Sequence, residues 1–449
     1  MALGSRTKAF SLIAGGVASA VVLLPAAAAS PPLTTRVSVN SLEEQANGLS
    51  AYTPALSADG RYVAFTSAAT NLVAGDTNGV IDVFVRDRAG GETTRASVDG
   101  GGAQANGESS LPAISGDGRF VAYVSGASNL VQGDTNGSDD VFVRDRVTGA
   151  TSRVSVSSSG LQANRESMSP AISDDGRYVA FQSGASNLVS GDTNGLFDIF
   201  VHDRQSGETT RVSVSSSGVQ GNDSSVQPKI GADGRFVAFF SPASNLVAGD
   251  TNGNYDAFLH DRATGETSRA SVDSDGVQGN SFTFDVDLSD DGRFVAFQSL
   301  STNLVHGDTN NNFDIFVHDF QAGATTRVSV STGGAEGNNG SYAPAISGDG
   351  RFVAFDSFAA TLVQPDQNGV TPDVFLHDGV TGTTTLSSVN SQGVQGDLTS
   401  RAAALTRGAR VVAFRSNSTN LVAGDTNGVD DMFVAAQRPL VSSRSTPPR

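Results

Sequence analysis

Residues 170–203 read PAISDDGRYVAFQSGASNLVSGDTNGLFDIFVHD, and this stretch decides the fold. Two runs rich in aromatic and β-branched residues, Tyr178-Val179-Ala180-Phe181 and Ile199-Phe200-Val201, are bounded by the turn formers Asp175-Gly176 and Asp192-Thr193-Asn194-Gly195. Runs of this kind between Gly, Asn and Asp clusters predict short strands, and Asp-Gly supplies the positive φ of a hairpin turn. Outward from here, the Asp-Thr-Asn string or a close variant begins at Asp76, Asp134, Asp192, Asp250, Asp308, Asp366 and Asp425. The spacing is 58 residues, except for 59 across the sixth copy, where Asp366 to Asp373 is one residue longer than Asp76 to Asp82.

Self-similarity at one fixed period marks a repeat architecture. Four strands are expected in the first copy, at residues 53–57, 61–67, 82–87 and 93–98. Four antiparallel strands per unit at this period make a propeller blade, and apolar residues on both strand faces fit blades stacked face to face. One position is phenylalanine in every copy: Phe84, Phe142, Phe200, Phe258, Phe316, Phe375 and Phe433. These rings are expected in the core, each contributing about 1.5–3 kcal/mol when fully buried.

The phase of the repeats predicts a closed ring. The fourth-strand sequence Thr-Thr-Arg-Val-Ser-Val first appears at Thr34, ahead of any blade, and is missing after Phe433-Val434. Residues 34–39 should therefore complete the last blade as its outer strand and leave no open edge. The prediction is an all-β, seven-bladed β-propeller of four-stranded antiparallel blades over residues 30–436, closed by its N-terminal strand.

Residues 1–29 read as a secretory signal peptide, with Arg6 and Lys8 before an apolar run and small residues up to Ala29. Residues 437–449, rich in Ser, Pro and Arg, read as a disordered tail. A secreted monomer, extracellular or periplasmic, is expected, and no later segment is apolar enough to insert in a membrane. Cysteine is absent, which removes disulfides, thiolate metal sites and cysteine nucleophiles. Acidic residues number 46 against 29 basic ones, a net charge of −17 that repels nucleic acid and attracts cations.

The string Pro-Ala-Ile-Ser-x-Asp-Gly-Arg-Phe-Val-Ala-Phe, followed by Asp-Val-Phe-Val-x-Asp, resembles the TolB-like, WD-related propeller repeat over about residues 34–436. That family includes periplasmic interaction proteins and propellers attached to peptidases. The resemblance implies binding or scaffolding, with a protein or a glycan as partner, more than a reaction.

The loops after each second strand carry the first candidate site residues. Their oxygen-bearing positions are Asp76, Asn78 and Asp82; Asp134, Asn136 and Asp140; Asp192, Asn194 and Asp198; Asp250, Asn252 and Asp256; Asp308, Asn310 and Asp314; and Asp425, Asn427 and Asp431. Hard oxygen ligands in a glycine-containing turn suit Ca²⁺, although the spacing is not that of an EF-hand. The same residues also suit Asx-stabilised turns, and both readings stand at this point. No cofactor is required by the sequence, and Ca²⁺ is the candidate ligand. Gln-x-Asn strings such as Gln45-Ala46-Asn47 and Gln220-Gly221-Asn222 precede each first strand and should share one acidic face with these loops.

Catalysis is the weaker reading, because a reaction needs one asymmetric constellation and most candidate groups here recur blade by blade. His202, His260, His318 and His377 share one strand position and are expected to be half-exposed. No Gly-x-Ser-x-Gly elbow occurs. A carbohydrate-active hydrolase or lyase, or a repetitive lectin, is the alternative. Its candidate home is the set that departs from the repeat in the first strands: Lys229, Asp285, Asp287 and Arg401.

Overall fold

The computed structural model describes residues 31–437; the expected signal peptide and most of the expected tail lie outside these. Strand β1 (Leu33–Arg36) precedes the first blade, which is built from β2 (Ser50–Leu56), β3 (Tyr62–Ser67), β4 (Asp82–Asp87) and β5 (Glu92–Arg95). Six further four-stranded antiparallel sheets follow in the same order, and no helix occurs among the described residues. The seventh sheet is completed by β1, which pairs in register with the strand Asp431–Ala436: Leu33 faces Ala436 and Arg36 faces Phe433. The closure expected from the phase of the repeats is the observed one.

The outer strands are shorter than expected. In blade 1 the ladder ends at Arg95, because the Ser97 hydroxyl takes over from the backbone, donating to Asp82 at 2.5 Å and accepting from the Val83 amide at 3.2 Å. Val98 then forms an isolated bridge to Gln104. The core is divided into seven clusters, each shared by two adjacent blades. One joins Val63, Phe65 and Phe84 of blade 1 to Val411, Met432 and Val434 of blade 7. The recurring phenylalanine is buried in every blade and packs on a second ring, as Phe84 does on Phe65 with centroids 5.9 Å apart.

The inner strands encircle the axis, and each holds one residue at positive φ: Tyr52, Leu111, Ser169, Gln227, Asp285, Ala343 and Ala402. A register shift marks a β-bulge at each, which frees a backbone amide. In three blades a side chain of the preceding blade accepts it: Gln182 from Gln227 at 2.8 Å, Gln298 from Ala343 at 3.1 Å, and Asp356 from Ala402 at 3.2 Å. At the hairpin end, six backbone hydrogen bonds link consecutive turns, running from Ala58 through Gly116, Asp174, Ala232, Asp290 and Gly348 to Arg407. Arg407 pairs with both Asp174, at 2.6 Å, and Asp290, and so crosses the axis from blade 7 to blades 3 and 5.

The strand histidines are a correction. His202, His260, His318 and His377 are buried, at 5–7% exposure, rather than half-exposed. Each ring Nδ1 lies 2.8–2.9 Å from a threonine hydroxyl on the outer strand, and burial holds its pKa below the ordinary value. The outer strand covers a position that alternation alone would leave open.

Candidate functional site

Two polar regions stand out, and they differ in symmetry. The first is the ring of Asp-Thr-Asn loops. In blade 3, Gln220 Nε2 donates to Asp192 at 3.0 Å and to Asp198 at 2.8 Å, while Ser213 donates to the other oxygen of Asp198 at 2.5 Å. Arg211 Nη1 stands 3.7 and 3.5 Å from the same two carboxylates. Asn194 turns its amide nitrogen to the Gly221 carbonyl and to Asp198, and its oxygen accepts the Leu196 amide. The oxygens expected as calcium ligands are thus engaged by N–H and O–H donors within an Asx turn.

The glutamine arrangement recurs with Gln162 and Gln45, whereas Gln104 and Gln278 donate to Thr77 and Thr251 instead; the arginine pairing recurs at all the other expected sites. Arg95 meets Asp76 and Asp82; Arg153 meets Asp134 and Asp140; Arg269 meets Asp250 and Asp256; Arg327 meets Asp308 and Asp314; and Arg36, from the N-terminal strand, meets Asp425 and Asp431. Asn78, Asn136, Asn252, Asn310 and Asn427 each accept a backbone amide two residues on. In blade 5 Glu336 stands where most copies have glutamine, and burial together with Asp314 pushes Asp308 up to about 6. Blade 6 has Leu386 in place of the arginine, and there burial raises Asp373 to about 6. Next to each of these loops, the Gln-x-Asn strings tie one blade to its neighbour. Asn106, for instance, exchanges hydrogen bonds with Ser128 and Asn129 of blade 2.

The second region is asymmetric and lies in blades 4–7. Val286 and Leu288 point into the core, so Asp287 between them points to the channel, while Asp285, at the bulge, lies close enough to interact with Asp287 and Lys229. Burial raises the pKa of both, against the opposing pull of Lys229 on the neighbouring inner strand. Asp287 also accepts the Ile346 amide at 2.9 Å. Asp356 is 5% exposed, and burial pushes it up to about 7, with Arg401 and Arg415 opposing and Asp285 reinforcing.

Above these groups runs an arc of aromatic rings. Tyr255 and Phe284 lie 5.4 Å apart, Phe284 and Phe313 6.0 Å, Phe313 and Tyr342 5.6 Å, and Tyr342 and Phe358 5.8 Å, with the Arg401 guanidinium 4.8 Å over Phe358. Phe282, 44% exposed, stacks nearly parallel on Phe284. In blade 6 the position of Phe282 is Gly340, where a Cβ would come within 2.5 Å of the Tyr342 hydroxyl, so the glycine makes room for that ring. Lys229, Asp285 and Asp287 of the divergent set are brought together in one wall, with Arg401 at the rim. The aromatic arc, Asp356 and Arg407 were not among the expected site residues. The available signal was departure from the repeat, since Tyr342 and Phe284 replace Ser110, and Phe313 replaces Ile81.

The chain is similar in structure to the oligogalacturonate lyase of Vibrio parahaemolyticus, at 12% identity, over 90% of this chain and 93% of that one, with a TM-score of 0.52. It is also similar to the β-propeller domain of the trilobed protease from Pyrococcus furiosus, at 10% identity, over 86% of this chain and 95% of that one, with a TM-score of 0.51. TolB from Acinetobacter baumannii is matched at 18% identity and a TM-score of 0.39 over 68% of this chain, and the chain spans 58% of the length of that protein. No family model and no curated protein matches the chain. At these identities the likeness to the lyase and to the protease propeller is one of fold alone, and the seven sheets make the protein a seven-bladed β-propeller.

Proposed function

We propose that this protein works outside the cytoplasm as a glycan-binding propeller, holding its ligand in the mouth of the channel on the side of blades 4–7. The observation that carries this reading is the continuous aromatic arc over blades 4–6, at positions where the other blades, apart from Phe197 in blade 3, place small, aliphatic or polar residues. Half-buried ring faces stack on the apolar faces of sugars, and convergent carboxylate and cationic groups below them suit hydroxyl recognition. The test is a glycan-array screen of the protein, followed by titration of each hit against Phe284→Ser and Tyr342→Ser, which restore the residue of blade 2. Affinity should fall at least tenfold with the melting temperature little changed. Unchanged affinity would remove the channel mouth from the binding site.

The raised pKa values of Asp285 and Asp287 beside Lys229 favour a second reading, a carbohydrate-active hydrolase or lyase. Turnover of a bound glycan that scales with protein and disappears in Asp287→Asn would establish it. Binding without turnover would leave the first reading standing.

A further inference from the structure

On the hairpin face, a row of arginines and aromatic rings stops after blade 4, where the next three incoming positions are Phe320, Gly379 and Gln437. The ring that opens the second strand of a blade is held between two guanidinium groups. Tyr62 has Arg61 at 4.8 Å and Arg146 of the next blade at 4.4 Å. Phe120 has Arg119 at 4.7 Å and Arg204 at 4.4 Å, and Tyr178 has Arg177 at 4.7 Å and Arg262 at 4.6 Å. Each incoming arginine also donates through Nη1 to a turn carbonyl of its own blade: Arg146 to Gly118 at 2.6 Å, Arg204 to Gly176 at 2.5 Å, and Arg262 to Gly234 at 2.6 Å. Ring face and carbonyl therefore form a two-point cradle for one guanidinium.

At the next junction the incoming arginine is Phe320. The backbone is unchanged there, since the Phe320 amide donates to Arg293 O at 2.9 Å, as the Arg262 amide does to Arg235 O. Phe236 keeps its own Arg235 at 4.6 Å and has no second arginine over it among the described residues. A cavity of about 420 Å³ opens at this point, lined by Phe236, Gly292 and Phe320 together with the carboxylates of Glu266 and Asp291. Phe236 and Gly292 occupy the positions of the ring and the carbonyl that engage the guanidinium at the three preceding junctions.

We propose that this cavity is a binding site for a guanidinium group, supplied by an arginine side chain of a partner polypeptide. The three filled junctions show in the same molecule how such a group is held. A planar guanidinium stacks on a ring and donates to a carbonyl at once, which a lysine ammonium does not reproduce. Asp261, Glu266 and Asp291 line the cavity against the single cation Arg293, and this excess of carboxylates, with the −17 charge of the chain, favours a cationic partner.

The test is titration of the full chain with L-argininamide, followed by NMR, with L-citrullinamide as the neutral isostere and L-lysinamide as the non-planar cation. Argininamide should bind saturably, with a dissociation constant on the order of 1 mM as befits so small a ligand, and at least tenfold more tightly than either control. Phe320→Arg should supply the missing group from within the chain, abolish argininamide binding and leave the fold intact. Phe236→Leu should weaken binding without filling the cavity. Equal binding of citrullinamide, absence of saturation, or undiminished binding by Phe320→Arg would each overturn the proposal.

Discussion

The carboxylate of Asp356 in blade 6 accepts the Ala402 amide of blade 7 at 3.2 Å, where blades 3 and 5 use the glutamines Gln182 and Gln298 for the same task. An acid therefore stands in a buried position that a neutral amide fills elsewhere in the ring.

Asp356 should make stability depend on pH in a definite direction. Its folded pKa, about 7, is raised above the ordinary 3.8. Its contribution is therefore most favourable below about pH 4 and is lost as the pH rises to about 7. Asp356→Asn keeps an acceptor and removes the charge. The variant should gain roughly 2–4 kcal/mol at pH 8 and lose this part of the slope between pH 4 and 7. Urea unfolding of both proteins across that range checks it, and parallel curves would contradict it.

Ser38 tests ring closure against an internal standard. Its hydroxyl donates to Asp431 at 2.6 Å and accepts from the Met432 amide at 3.0 Å, as Ser97 does with Asp82 and Val83 within blade 1. Ser38→Ala and Ser97→Ala should each cost about 1–3 kcal/mol, because each leaves a buried carboxylate and amide short of a partner. A silent Ser38→Ala beside a costly Ser97→Ala would mean that the ring opens in solution.

Ala409 takes φ +52 in the seventh hairpin, where the other six blades place glycine. An L-residue there is strained, so Ala409→Gly should stabilise by about 1 kcal/mol even though glycine loses more entropy on folding. Thermal unfolding measures this, and a lower melting temperature would show that the Cβ contributes packing that outweighs the strain.

The loop carboxylates are met by arginine in six blades, so the loops carry their own counter-charge. Millimolar Ca²⁺ and Mg²⁺ should shift the melting temperature alike at equal ionic strength, as screening does. A larger effect of Ca²⁺ would mean that the arginines leave and the oxygens regroup around the metal.

The order of the strands, the number of blades and the closure by residues near Thr34 were legible because each repeat carries its own turn formers and apolar runs. Local chemistry sets those features, and repetition makes them unmistakable. The pairing of Gln220 with Asp192 and Asp198 was legible only as a shared face, since residues 22 to 28 positions apart meet through chain return. Burial of His202 beside Thr209 depends on how far the outer strand covers the third, which alternation along one strand does not report. The aromatic arc from Tyr255 to Phe358 draws its rings from loops and strands of three blades, and Arg407 reaches Asp174 across 233 residues of sequence. Periodicity determined what every blade shares. Only the closed ring decides which departures from the repeat become neighbours, because it brings every inner strand and hairpin to one axis whatever their separation along the chain.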